Sequence, residues 1–242
     1  MLRILVVGGS GAVGSKIVEE LAHRGHDVTF TFFSGDRRAR ELAERTGATP
    51  IYLDLCDIRL DDGRIPPEAI INSAGINVSR KLVHEVTPAD LRRTFEINFF
   101  GPLRILNWAL PAMIGRNFGR IVNIGSIYSI RGSSRNGPYT SSKHALSGLT
   151  KTIALEYGPS GIAASEVLPG PIDSPLLDEI ITVRADQTAV TPQMYKSKII
   201  NEIPSRHLLS AHDVARAAVF LVEDPTGQFN GSSLIVDGGL TI

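Results

Sequence analysis

Short apolar, β-branched runs alternate along the chain with longer stretches in which apolar residues recur at helical spacing. Strands are predicted at 4–7, 28–33, 49–53, 69–72, 120–124, 163–168 and 233–236. Helices are predicted at about 12–24, 37–46, 88–114, 138–157 and 212–221. Strands apolar on every position belong in a parallel sheet covered on both faces. Their alternation with helices predicts an α/β fold: a doubly wound parallel sheet of about seven strands.

Two stretches break the rhythm. Between Leu55 and Ala69 the chain is short, polar and Pro-bearing, which predicts a loop or a turn of helix instead of a full crossover helix. Residues 175–209 carry no sheet pattern. No repeat, low-complexity tract or Pro/Ser-rich linker divides the chain, so residues 1–242 are expected to form one domain.

Composition narrows the function. Lys plus Arg and Asp plus Glu both number 25, and the balance argues against broad nucleic-acid or membrane attraction. Cys56 is the single cysteine, so no intrachain disulfide exists, and a packed thiol is expected there. The first residues, M-L-R-I-L-V-V-G-G, enter a strand at once and are too short an apolar run for a signal peptide core. A cytoplasmic protein is expected. No His/Cys/carboxylate cluster resembles a metal site, and His144 and His207 read as structural.

The stretch V-V-G-G-S-G-A-V-G follows the first strand and opens a helix, with Gly8, Gly11 and Gly14 spaced three apart. Glycines at such a turn allow positive φ and let backbone approach a pyrophosphate. The helix N-terminus then offers free N–H groups to that anion. An NAD site places an acid at the end of the second strand, and residues 32–34 hold none. Ser34, Arg37 and Arg38 suit a 2′-phosphate instead, which favours NADP(H), while Asp36 keeps NAD(H) possible.

Tyr139 and Lys143 stand four apart on a predicted helix opened by Pro138, so both share one face. A nearby ammonium favours the phenolate and is expected to lower the tyrosine pKa. Such a phenol protonates a developing alkoxide or takes a proton from an alcohol. Ser126 falls just past an apolar strand, at the edge where open α/β sheets bind ligands, and its hydroxyl suits a substrate oxygen.

With these motifs the sequence resembles a short-chain dehydrogenase/reductase of the compact form, close to the 3-oxoacyl-(acyl carrier protein) reductases. The likeness runs along nearly the whole chain: the glycine loop, Asp54, N-S-A-G from Asn72, Asn98 in E-I-N-F-F-G, Ser126, Y-T-S-S-K, L-P-G-P-I-D-S from Leu168, and the I-V-D-G-G-L ending. It implies a single NAD(P)-binding Rossmann-type domain. Tyr139 would be the general acid/base. Lys143 would lower its pKa and bind the nicotinamide ribose. Ser126 would orient the substrate carbonyl, and Asn98 would hold a relay water. Gly8, Ser10, Gly11, Val13 and Gly14 would cradle the pyrophosphate. Asp54 and Leu55 would contact the adenine. Asn72, Ala74 and Gly75 would line the adenine-ribose side, and Pro169, Gly170, Ile172 and Ser174 would surround the nicotinamide. Pro102, four residues after Asn98, lacks an N–H and is expected to bend the helix and free the Asn98 carbonyl.

The resemblance further implies an NADPH-dependent reduction of a ketone to a secondary alcohol, on a small carbonyl compound or an acyl-carrier-bound one. Alternatives are an NAD-dependent alcohol dehydrogenase, an epimerase or dehydratase suggested by the Gly8/Gly11/Gly14 spacing, and a non-catalytic dinucleotide-binding protein. The family also implies a substrate lid at about 175–209, with Leu176, Leu177, Ile180, Ile181 and Tyr195 on its inner face. It implies a homotetramer or homodimer, in which Ser142, Ala145 and Gly148 would permit close helix contact. Arg131 and Arg135 read as solvated loop residues near the cleft mouth.

Overall fold

The computed structural model describes residues 1–58 and 63–242. Among these, seven strands form one sheet: β1 (Arg3–Val7), β2 (Asp27–Phe32), β3 (Thr49–Tyr52), β4 (Ala69–Asn72), β5 (Gly119–Ile124), β6 (Ile162–Pro169) and β7 (Ser233–Val236). Their order is β3-β2-β1-β4-β5-β6-β7, and every neighbouring pair is parallel. The sheet is therefore doubly wound, as the apolar pattern predicts.

The helices are α1 (Ala12–His23), α2 (Asp36–Thr46), α3 (Pro88–Phe95), α4 (Gly101–Gly115), α5 (Gly137–Tyr157), α6 (Pro175–Gln187), α7 (Pro192–Glu202) and α8 (Ala211–Val222). Strand side chains alternate between faces. On β1, Ile4 and Val6 join Ile17 and Leu21 of α1, Leu42 of α2 and Val219 of α8. Leu5 and Val7 join Ile105 and Met113 of α4 and Ile153 of α5 on the other side. Both faces are buried, which is why the strand reads as an uninterrupted apolar run.

The long helix predicted at 88–114 is not continuous. A π turn, Glu96–Phe100, separates α3 from α4, and the Gly101 N–H donates to the Glu96 carbonyl five residues back. Such insertions are rare and concentrate at functional sites. Pro102 follows at the start of α4 and has no N–H to offer the Asn98 carbonyl, so the regular ladder cannot run through this point. Asn98 lies inside the π turn and is fully buried.

The loop or helical turn expected at 55–69 lies partly outside the described residues; on its described flank Leu55 and Cys56 form a turn. Residues 175–209, which lacked a sheet pattern, fold as α6 and α7, capped by the hydroxyls of Ser174 and Thr191. Leu177 and Ile181 of α6 face inward, whereas Leu176 is exposed. Among the described residues no helix is long and apolar enough to cross a membrane. Nor does any group of three or more His, Cys, Asp and Glu stand ready for a metal ion among them.

Candidate active site

The sheet changes direction at β1, which has β2 on one side and β4 on the other. Ligands of open α/β sheets sit in the crevice at such a point. The loops after β1 and β4 touch here. A Cβ on Gly8 would lie 2.8 Å from Ala74 Cα, and Gly8 has a φ of +75°. A Cβ on Gly14 would lie 2.2 Å from the Gly8 carbonyl oxygen, so glycine lets α1 begin against the loop. Gly11 precedes α1 and brings no side-chain cap, leaving the first-turn N–H groups turned to the crevice without one. These are the features an anion requires.

A cleft of about 650 Å³ runs from this loop along the carboxyl edge. Gly8, Ser10 and Gly11 form one end, Ser34, Asp54 and Leu55 one wall, and Ala74 and Gly75 the floor. Val13 and Gly14 belong to α1 behind the loop.

Two expected cofactor contacts stand elsewhere. Arg37 has its side chain 86% exposed and pairs with Glu41 at 3.1 Å, away from the cleft. Arg38 lines the cleft in its place, because Gly35, at φ +80°, turns the chain so that the Arg38 guanidinium folds back across it. Asn72 turns beneath the sheet edge. Its Nδ2 donates 2.6 Å to Asn123 Oδ1, and Asn123 Nδ2 donates 2.8 Å to Thr150 Oγ1 of α5. Asn72 thereby ties β4 and β5 to α5.

The cleft also contains residues without a sequence signal. Arg92 and Arg93 enter from α3, and Phe33 stacks on Tyr52 at the rim, centroids 6.0 Å apart. Cys56 lines the cleft and is exposed, not packed. Burial and the Asp54 carboxylate push its thiol pKa up, away from the reactive thiolate.

Past the floor of this cleft, Ser126, Tyr139 and Lys143 come together. Ser126 lies just beyond β5, and its Oγ accepts the Tyr128 N–H at 3.2 Å. The Ser126 hydroxyl also lies close enough to the Tyr139 phenol to act on its titration. Lys143 is almost completely buried, and its Nζ donates 2.7 Å to the Ile124 carbonyl. That ammonium lies 5.6 Å from the centre of the Tyr139 ring. A Cβ on Gly75 would approach Lys143 Nζ and Asn98 Oδ1 to 3.5 Å each, so glycine keeps this space open.

The electrostatics correct the expectation of a lowered phenol. Burial pushes Tyr139 up to about 12, partly offset by the neighbouring Ser126 hydroxyl. Burial pushes Lys143 down to about 8, opposed by the charge of Glu166. The ammonium spends its bond on Ile124 and faces the ring, and desolvation dominates at the phenol. The phenol of Tyr139 is thus held protonated at neutral pH.

Asn98 is locked by its side chain. Its Oδ1 accepts the Ile76 N–H at 2.8 Å, and its Nδ2 donates 3.0 Å to the Ile76 carbonyl and 3.0 Å to Ser142 Oγ. Ser142 in turn donates 2.8 Å to the Tyr139 carbonyl. This joins the π turn to the helix bearing Tyr139 and Lys143. It also places Ser142 inside the molecule, off the outer face assigned to it for helix–helix contact.

Pro169, Gly170, Ile172 and Ser174 lie at and beyond the carboxyl end of β6. Gly170 packs on Asp237, where a Cβ would come within 2.9 Å of that residue's Cβ. Ser174 Oγ accepts the Leu177 N–H at 3.3 Å and opens α6. Arg131 lies over the Tyr128 ring at 5.7 Å. Arg135 occupies a loop at positive φ.

Comparison with known proteins places the chain among oxidoreductases of this fold. The sequence profile of the family described as Enoyl-(Acyl carrier protein) reductase matches residues 66–241. An acetoacetyl-CoA reductase of Rhizobium meliloti (strain 1021) is 29% identical over 246 residues, 97% of this chain and 96% of the relative. The 3-oxoacyl-(acyl carrier protein) reductase FabG of Aquifex aeolicus (strain VF5) is 29% identical over 252 residues, 98% of this chain and 96% of the relative. Among solved structures, that of ElxO with NADP bound superposes with a TM-score of 0.82 at 27% identity, covering 98% of each chain.

Proposed function

Because this chain belongs to the short-chain dehydrogenase/reductase family of oxidoreductases, we propose that it reduces a ketone to a secondary alcohol with NADPH, Tyr139 being the proton donor. The observation that carries this reading is the buried Lys143 ammonium 5.6 Å from the Tyr139 ring centre, with the Ser126 hydroxyl near enough to act on the phenol. Two hydroxyls beside each other suit one carbonyl oxygen. A phenol held protonated suits donation as that oxygen becomes an alkoxide.

The dinucleotide fits the cleft by its chemistry. The open N–H groups of α1 and Ser10 would take the pyrophosphate, and Ala74 and Gly75 the adjoining ribose. Asp54 and Leu55 would border the adenine. Ser34 and Arg38 would meet a 2′-phosphate, with Arg92 and Arg93 adding positive charge from the opposite wall. Residues 169–174 would border the nicotinamide. The bound cofactor supplies the hydride. Ser126 fixes the carbonyl oxygen, Tyr139 gives it a proton, and Lys143 steadies the charge left on the phenol. Asn98 positions the Tyr139 helix through Ser142.

NADP bound in the ElxO relative and the absence of an acid at residues 32–34 both support NADPH over NADH. The relatives named for acetoacetyl-CoA and 3-oxoacyl substrates support a 3-oxoacyl-type carbonyl. In this reading residues 1–242 are one domain, and α6 and α7 form a lid over the substrate. Exposed Phe100 and Leu155, on the π turn and α5, support a homodimer or homotetramer. A cytoplasmic location accords with the reading. The test is spectrophotometric: purified protein, NADPH or NADH, and a panel of 3-oxoacyl thioesters and small ketones. Ketone-dependent oxidation of NADPH in preference to NADH supports it; no oxidation with any ketone rejects it.

A further inference from the structure

The reaction as described leaves the half-buried cation Arg80 unused. Arg80 lies between β4 and α3, and its guanidinium is half-buried. Its Nη1 donates to Asn77 Oδ1, to the Ser79 carbonyl at 3.4 Å and to Asn136 Oδ1 at 3.3 Å. All three acceptors are neutral. Among the described residues none of its hydrogen bonds goes to a carboxylate, and its Nη2 and Nε donors find no hydrogen-bond acceptor among them.

The position of Arg80 matters more than its exposure. Asn136 immediately precedes α5, three residues before Tyr139. Arg80 is therefore bound to the start of the helix that carries the proton donor, and its charge acts on Tyr139 and is felt beside Tyr128. Arg184 of α6 comes close enough to repel it, while donating 2.6 Å to the Ser134 carbonyl. The charge of the Glu179 carboxylate of α6 also bears on Arg80, and Glu179 is exposed. A partly desolvated guanidinium beside a second cation is costly until an anion joins them.

Resting on the ketone-reductase reading, we propose that Arg80 is a specificity residue that binds a carboxylate of the substrate, so that this site reduces a free keto acid. Arg80 is bonded to Asn136 at the start of the Tyr139 helix and its charge reaches the phenol, so a carboxylate it holds would belong to a substrate whose anion lies near the reacting carbonyl. A 3-oxo acid has its carboxylate there. A carrier thioester has a neutral carbonyl at that point and its phosphates far away. The planar fork of a guanidinium matches a carboxylate with two parallel hydrogen bonds. Arg184 supplies a second cation from the helix that covers the site.

The test compares each free 3-oxo acid with its methyl ester, from 3-oxobutanoate to 3-oxooctanoate, in NADPH-dependent reduction. The acid is expected to exceed the ester in kcat/KM. In Arg80→Gln the acid-to-ester ratio is expected to fall roughly tenfold to a hundredfold. Arg80→Lys is expected to restore part of it. Calorimetric titration with 3-hydroxybutanoate, in the presence of NADP, reads the same anion site without turnover; its binding is lost in Arg80→Gln. Preference of the wild type for esters, or an unchanged ratio in Arg80→Gln, overturns the inference while ketone reduction stands. Absence of turnover with every compound, together with no binding of 3-hydroxybutanoate, overturns both. Should Arg80→Gln fail to fold, the acid-to-ester ratio of the wild type decides.

Discussion

The Lys143 ammonium donates a 2.7 Å hydrogen bond to the Ile124 carbonyl, at the end of β5, and lies 5.6 Å from the Tyr139 ring centre. The strand that delivers Ser126 therefore also fixes the lysine beneath the phenol. Lys143 titrates near 8 and Tyr139 near 12 in the free protein. The pH profile of kcat/KM reports free-enzyme groups. Since burial disfavours the ammonium, reduction is expected to be level below pH about 8 and to fall as pH rises through it. The phenol stays protonated across that range. Lys143→Met is expected to remove the falling limb and lower the rate. A rate that instead rises through pH 8 contradicts the assignment.

Glu166 supplies the charge that opposes the desolvation of Lys143. Its Oε1 accepts Ser147 Oγ at 2.7 Å and Ser233 Oγ at 2.6 Å, and the residue is buried in β6. Glu166→Gln keeps the shape and removes the charge. The falling limb is expected to move to lower pH, because the ammonium loses its counter-charge. An unmoved limb in a folded Glu166→Gln protein shows that the carboxylate serves packing alone.

Arg37 and Arg38 are adjacent, yet one faces solvent and the other the cleft. Arg38→Ala is expected to weaken NADPH binding about tenfold to a hundredfold, with NADH binding little changed, as befits one lost charge-assisted contact to a phosphate. Arg37→Ala is expected to change neither by more than about twofold, the range of an exposed pair. Fluorescence titration with both cofactors checks this.

The buried run from Asn72 through Asn123 to Thr150 has a structural consequence. Asn123→Ala leaves Asn72 Nδ2 and Thr150 Oγ1 without this partner. The expected cost is about 1–3 kcal/mol for the buried polar groups. For a chain of this size that lowers Tm by roughly 2–12 °C. Thermal unfolding measures it, and an unchanged Tm contradicts the role given to Asn72.

Legibility in the sequence followed the physics of each feature. The inner strands β1, β4, β5 and β6 were readable because burial on both faces leaves apolar runs such as 4–7, and the site motifs because Gly8, Ser126, Tyr139 and Lys143 fall at strand ends and one helical turn apart. The π turn at Glu96–Phe100 was not, since a single extra residue leaves the helical spacing almost intact; only Pro102 hinted at a bend. The choice of Arg38 over Arg37 depends on the φ of Gly35. The raised Tyr139 pKa depends on the burial of the phenol in the folded chain. Arg80 and Arg92 belong to no motif and reach their places only through tertiary packing.

The most direct test of the account is the turnover of Tyr139→Phe with NADPH and a reducible ketone, alongside NADPH binding by fluorescence. The account predicts a loss of kcat on the order of 10²–10⁴-fold, the usual worth of a general acid, with NADPH binding retained. Turnover near the wild-type rate in Tyr139→Phe would contradict it.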